Sequence, residues 1–128
     1  MRNYVYDSGA LIAIDRSRDN EQVRSHQRRL AGGDHIMVPA PVAAQVVRDS
    51  RRQARLMLTL RSCEVAPFAA DDITPVGELL ARSGTADVVD GFVALKAAEI
   101  GAVVITSDPD DITRLLNFLG APLPVLKP

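Results

Sequence analysis

The sequence predicts an α/β sandwich on a mainly parallel sheet of four to five strands, in a single domain over residues 1–128. Three observations carry that prediction. Short apolar, β-branched runs alternate with segments of helical periodicity along the chain. The run AVVI at 102–105 is apolar without alternation, as in a strand covered on both faces. With 128 residues, 47% of them apolar, the chain is long enough to bury a core and too apolar for disorder.

Each element follows from local pattern. Residues 3–6 form the first strand, with Asp7 directly after it, and 8–15 (SGALIAID) a short helix. A polar, Arg-rich helix over 20–31 stops at Gly32-Gly33, and HIMVP at 35–39 is the second strand. Pro41 opens the next helix at its favoured first position, with Val42, Gln45 and Val46 at helical spacing. That helix continues or restarts through 51–60, where Leu56, Met57 and Leu60 are the apolar side. Residues 64–68 read as a third strand, and Asp71-Asp72 precede a helix that runs through Leu80 and ends near Gly84. In the next helix Val89, Phe92, Val93, Ala97 and Ile100 recur at three- and four-residue steps and make one apolar face, which Gly101 terminates. The buried strand at 102–105 follows, then a helix over 109–119 stopped by Gly120. Residues 123–126 form an edge strand, where Pro124 is tolerated.

Composition narrows the function. No apolar run approaches the roughly 20 residues of a membrane span, and MRNYVYDSG lacks the apolar stretch of a signal peptide. Cys63 is alone, which excludes a disulfide framework or cysteine metal knuckle and fits a buried thiol in a reducing cytoplasm. The net charge is −1, but residues 1–61 carry eleven Arg or Lys against six acids, and residues 62–128 four against ten. A basic flank beside an acidic pocket suits a protein that holds a polyanion while chelating a cation.

The acids carry the chemistry. In parallel α/β sheets the ligand site lies beyond the carboxyl ends of the strands. Asp7 and Asp108 each follow a strand there, and Asp90 comes from the helix packed beside them. Carboxylates gathered this way repel and raise one another's pKa, a cost that a hard divalent cation removes. Asp87 relieves the helix dipole in the first turn after Thr85 or supports the site from behind. Asp108 before Pro109 also has the form of an N-cap, with Asp111 completing a capping box. His26, among arginines on a polar helix, and His35 are poor candidates for a direct role.

These residues resemble the PIN domain family, and within it the VapC toxins of bacterial type II toxin–antitoxin pairs. YVYDSGALIAI is similar to the family's strand, acid and helix, which puts its first acid on Asp7. DGFVALKAAEIGAVVITSD carries Asp90, Ala94, Ala97, Gly101, Thr106 and Asp108 in the family's spacing. In VPAPVAAQVVRD the matching helix has Gln45 where the family usually carries Glu, a neutral residue of nearly the same shape.

The resemblance implies a PIN-like three-layer α/β/α sandwich and a Mg²⁺- or Mn²⁺-dependent endoribonuclease acting on structured RNA. Asp7, Asp90 and Asp108 would hold the metal, and Gln45 would orient a water or the substrate. Asp87 or Asp111 would replace the missing charge. Thr106 and Ser107 would hydrogen-bond a carboxylate or a phosphate oxygen. Arg48, Arg51, Arg52 and Arg55 would contact RNA backbone. It further implies a cytoplasmic homodimer inhibited by a VapB-type antitoxin.

Other α/β readings fail on particular residues. A receiver domain needs an acidic pair after the first strand, and a phosphatase of the haloacid dehalogenase type needs Asp-x-Asp there; the chain has Asp7-Ser8-Gly9. No G-x-G-x-x-G or P-loop occurs. The remaining alternative is a catalytically weakened PIN scaffold that binds RNA or a partner, with Gln45 as its mark.

Overall fold

The computed structural model describes all residues from Met1 to Pro128. The elements are β1 (Asn3–Tyr6), α1 (Ser8–Asp15), α2 (Glu21–Ala31), β2 (His35–Pro39), α3 (Ala40–Val46), α4 (Ala54–Arg61), β3 (Glu64–Ala66), α5 (Ile73–Ser83), α6 (Val88–Ile100), β4 (Val103–Ile105), α7 (Pro109–Phe118) and β5 (Val125–Leu126). A single 3₁₀ turn over Ala70–Asp72 leads into α5.

The five strands form one sheet in the order β3-β2-β1-β4-β5, every neighbouring pair parallel. β1 lies at the centre because it is bracketed by β2, with Tyr4 opposite Ile36, and by β4, with Tyr4 opposite Val103. Parallel strands need crossovers, and the helices supply them on both faces. α1, α2, α3 and α4 pack among themselves on one side and α5, α6 and α7 on the other, so the sandwich has three layers.

The core lies where the central strands meet both helical layers. Val5, Tyr6, Val104, Leu11, Val42, Val93, Ala97 and Ile112 are sealed from solvent. A satellite cluster of Val76, Phe92 and Leu95 sits between α5 and α6, with Phe68 against Phe92 at a centroid distance of 4.8 Å.

Several details differ from the sequence reading. Of the two alternatives left open for residues 40–61, the helix restarts, since the chain between Val46 and Ala54 leaves the helical conformation. α3 starts at Ala40, which moves Pro41 into its second position. β3 ends at Ala66, before Pro67, and β5 begins only after Pro124, because proline cannot donate to a ladder. α6 is buried nearly all round: Gly91, Ala94 and Leu95 join the expected Phe92, Val93 and Ala97. Phe92 belongs to the α5 side, so the helix has two apolar faces where one was expected. Asp72 closes the 3₁₀ turn by accepting from the Ala69 N–H at 2.9 Å and pairs with Lys96 at 3.1 Å.

Candidate metal centre and nucleic-acid interface

The site begins with the register of the two central strands. Pairing of Tyr6 with Ile105 brings the residues that follow them, Asp7 and Thr106, to the same level of the sheet. The Asp7 N–H donates to the Ile105 carbonyl at 3.0 Å, so the ladder runs one step past the strand end. Asp7 is only 4% exposed. Its Oδ2 accepts from Thr106 Oγ1 at 2.7 Å and its Oδ1 from the Ser8 N–H at 2.8 Å, which caps α1. Burial raises its pKa, and the Asp108 and Asp87 charges add to the rise, while the two hydrogen bonds work against it.

Thr106, fully buried, also accepts from the Asp108 N–H at 3.0 Å. One hydroxyl thus ties the first acid to the loop that carries the third. Asp108 occupies the N-cap position of α7, yet its side chain makes no capping bond. The capping box expected with Asp111 is therefore absent, and both carboxylates are exposed at the rim. Asp87 does the reverse. It is itself the N-cap of α6, its Oδ1 accepting from the Asp90 N–H at 3.0 Å, so it precedes the first turn and is not inside it.

Asp90 is where the acids meet. It is half-buried on α6, and its carboxyl is pushed up to about 7, first by burial and then by Asp87, Asp7, Asp108 and Asp111. Four carboxylates drawn from three elements therefore act on one group. An open cavity of about 150 Å³ is lined by Thr85, Asp87, Asp90, Asp111, Arg114 and Leu115. A second, of about 280 Å³, is lined by Ser107, Asp108, Pro109, Asp110, Asp111 and Lys127. No three His, Cys, Asp or Glu side chains are drawn in tightly enough to enclose a single ion.

Asp7, Asp90 and Asp108 thus converge on the strand ends, with Asp87 and Asp111 beside them. Gln45 is exposed on α3 and makes no hydrogen bond to the acids. Ser107 donates to no carboxylate, and it packs tightly on α1: a Cβ on Gly9 would lie 2.0 Å from its Oγ. Arg48 turns back onto the Ala44 and Val47 carbonyls, and Arg55 onto that of Ser17. Arg51 and Arg52 are exposed near Asp49, at 3.5 and 3.7 Å. His26 is buried where the sequence suggested a polar surface, and His35 pairs with Glu64 at 3.0 Å. Sequence reasoning missed Gly9, whose smallness lets α1 touch the β4–α7 loop. It also missed Arg114, which falls on the same side of α7 as Asp111 by its three-residue spacing.

The sequence profile of the PIN domain family matches residues 4–115, which takes in all the elements that build this rim. The chain belongs to the PIN domain family. Two solved structures share its fold. VapBC2 from Rickettsia felis, crystallised bound to a DNA fragment from its promoter, superposes with a TM-score of 0.70 at 18% identity, over 98% of this chain and 98% of that one. PAE2754 from Pyrobaculum aerophilum gives a TM-score of 0.62 at 16% identity, over 93% of this chain and 98% of that one. Among curated protein sequences, nothing matches this PIN domain. PIN domains are generally nucleases that depend on a divalent cation, and an oxygen-only, multiply acidic rim fits a hard ion of that kind. No helix is long and apolar enough to cross a membrane.

Proposed function

We propose that this PIN domain is the toxin of a VapBC-type toxin–antitoxin pair, a Mg²⁺-dependent endoribonuclease that cuts structured RNA. The observation that carries the reading is the convergence of Asp7, Asp87, Asp108 and Asp111 on Asp90, whose carboxyl is raised to about 7. A surface that costs this much electrostatic repulsion is kept for a cation. Asp7, Asp90 and Asp108 would hold it, with Mn²⁺ as the natural substitute. When bound, the ion would neutralise phosphate charge and acidify a water. The chain's own part is positioning. Thr106 fixes Asp7 Oδ2 and the Asp108 backbone together, Asp87 holds the start of α6, and burial of Asp7 excludes water from behind the site. Asp90 would hold the ion as its deprotonated carboxylate.

An antitoxin partner, a homodimer and a cytoplasmic location belong to the same proposal. An open cavity of about 500 Å³ on the opposite helical layer is lined by Ser50, Arg51, Ala54, Met57, Leu58 and Arg61, and Leu58 is 63% exposed. Apolar and cationic groups side by side suit an acidic, amphipathic antitoxin segment.

The test is cleavage of a structured RNA with Mg²⁺, with Mn²⁺ and with chelator. Cutting is expected only with metal and is expected to vanish in Asp7→Asn and Asp90→Asn; persistence in both variants overturns the site. A second reading, a weakened scaffold that binds without efficient cutting, is favoured by the neutral, exposed Gln45. A large gain of activity in Gln45→Glu would support it.

A further inference from the structure

Arg114 stands among acids without pairing with them. It lines the cavity that holds Asp87, Asp90 and Asp111, yet it takes part in none of the chain's ion pairs. Two contacts hold it off. One Nη2 N–H donates to the Ser83 carbonyl at the end of α5, and the guanidinium lies over the Phe118 ring, 5.4 Å from its centroid. A guanidinium carries five N–H donors in a planar fork, so a single bond to Ser83 leaves most of them unspent. The four arginines expected to contact RNA differ in position: Arg48 and Arg55 cap carbonyls of their own layer and Arg51 and Arg52 flank Asp49, whereas Arg114 alone shares a cavity with rim carboxylates.

We propose that Arg114 is a phosphate contact of the carboxylate rim, gripping one backbone phosphate of the RNA substrate through its free fork beside the bond to be cut. The identity of the polyanion rests on the nuclease reading; the phosphate contact rests on the geometry. A fixed cation amid carboxylates does two jobs. It offsets the repulsion that an acidic rim exerts on an incoming polyanion, and its two parallel N–H groups match the spacing of phosphate oxygens. Being placed by Ser83 and Phe118 before substrate arrives, it loses little side-chain freedom on binding.

The experiment uses a fluorescently labelled structured RNA and the full chain in an Asp7→Asn background, which separates binding from cutting. Arg114→Gln is expected to weaken binding about tenfold and to lower the slope of log Kd against log salt by about one, the signature of one lost phosphate contact. Arg2→Gln, an exposed position at the opposite end of β1 from Asp7, is expected to leave that slope unchanged. An unaltered slope in Arg114→Gln overturns the proposal. Should that variant fail to fold, the Nε–H resonance of Arg114 in the otherwise unchanged Asp7→Asn protein decides. A shift on adding the same RNA supports the contact, and no shift overturns it. The cutting assay on the native chain stands apart: if it cuts no RNA, the nuclease reading falls while the slope and the resonance still judge Arg114.

Discussion

Gly9 and Asp90 show how much of the site depends on single atoms. A Cβ on Gly9 would meet Ser107 Oγ at 2.0 Å, its Cβ at 2.7 Å and its main-chain N at 2.8 Å. Since one of those atoms is backbone, Gly9→Ala must push the β4–α7 loop, and Asp108 with it, away from Asp7. We expect Gly9→Ala to cost about 1–3 kcal/mol in urea unfolding and to lower Mg²⁺ affinity. Ser107→Gly should relieve only part of this, because the main-chain nitrogen stays. Nothing in SGALIAID announces that constraint, for the residue that imposes it lies far along the chain. Asp90 makes a prediction about pH. Its carboxyl titrates at about 7 in the fold against 3.8 when free, so the folded state keeps the proton longer. Its contribution is whole below the unfolded value and is lost as pH rises through about 7. Allowing for solvent screening at this half-exposed group, the loss amounts to about 1–2 kcal/mol. Asp90→Asn should flatten this part of the pH profile of unfolding and stabilise the metal-free protein above neutrality; an unchanged profile would refute the assignment.

At the level of elements, α2 is fastened by a directed chain of hydrogen bonds. Arg29 donates to the Tyr6 hydroxyl at 2.9 Å, which meets His26 Nδ1 at 2.9 Å; His26 Nε2 meets Ser62 Oγ at 2.7 Å, and Ser62 donates to the Thr59 carbonyl at 2.6 Å. Since Ser62 spends its proton on Thr59 and Tyr6 accepts from Arg29, His26 carries its hydrogen on Nε2 and accepts at Nδ1. Burial, and then the Arg29 charge, hold its pKa below the usual value. Charging the ring would put two donors on the Tyr6 hydroxyl, so this element loses stability as pH falls below about 6.5, opposite in sign to Asp90. His26→Leu should abolish that acid-side loss and cost about 1–3 kcal/mol near neutrality by leaving the Tyr6 hydroxyl proton without its acceptor, as read by denaturant titration. The sequence showed an Arg-rich polar helix and could not show this, because Tyr6, His26 and Ser62 come from three separate elements. By contrast, α6 and β4 were legible as elements, since Gly101 (φ 64°) punctuates them and VVI is apolar throughout. The second apolar face of α6 was not, as a helix sandwiched between a sheet and another helix loses the one-sided periodicity that marks a surface helix.

For the molecule as a whole, alternating strands and helices were enough to name the architecture, and the acids' topological position was enough to gather them at one rim. What the sequence could not supply was which polar groups are spent within the fold. Asp87 is used up as a cap and Asp108 is not, a difference that two similar acid-before-helix patterns do not reveal. The rim's unrelieved charge predicts that Mg²⁺ stabilises the native chain, by about 2.7 kcal/mol at a hundredfold excess over Kd. The thermal midpoint should rise with Mg²⁺ in the native protein and stay level in Asp90→Asn. Strand order has a last consequence. Asp7 and the Thr106 hydroxyl that orients it are 99 residues apart, and the strand pairing that joins them, Tyr6 with Ile105, spans the same long separation. The rim therefore closes only once the chain between Asp7 and Thr106 has been made and folded, and a deletion within that stretch removes the pairing that orients Asp7.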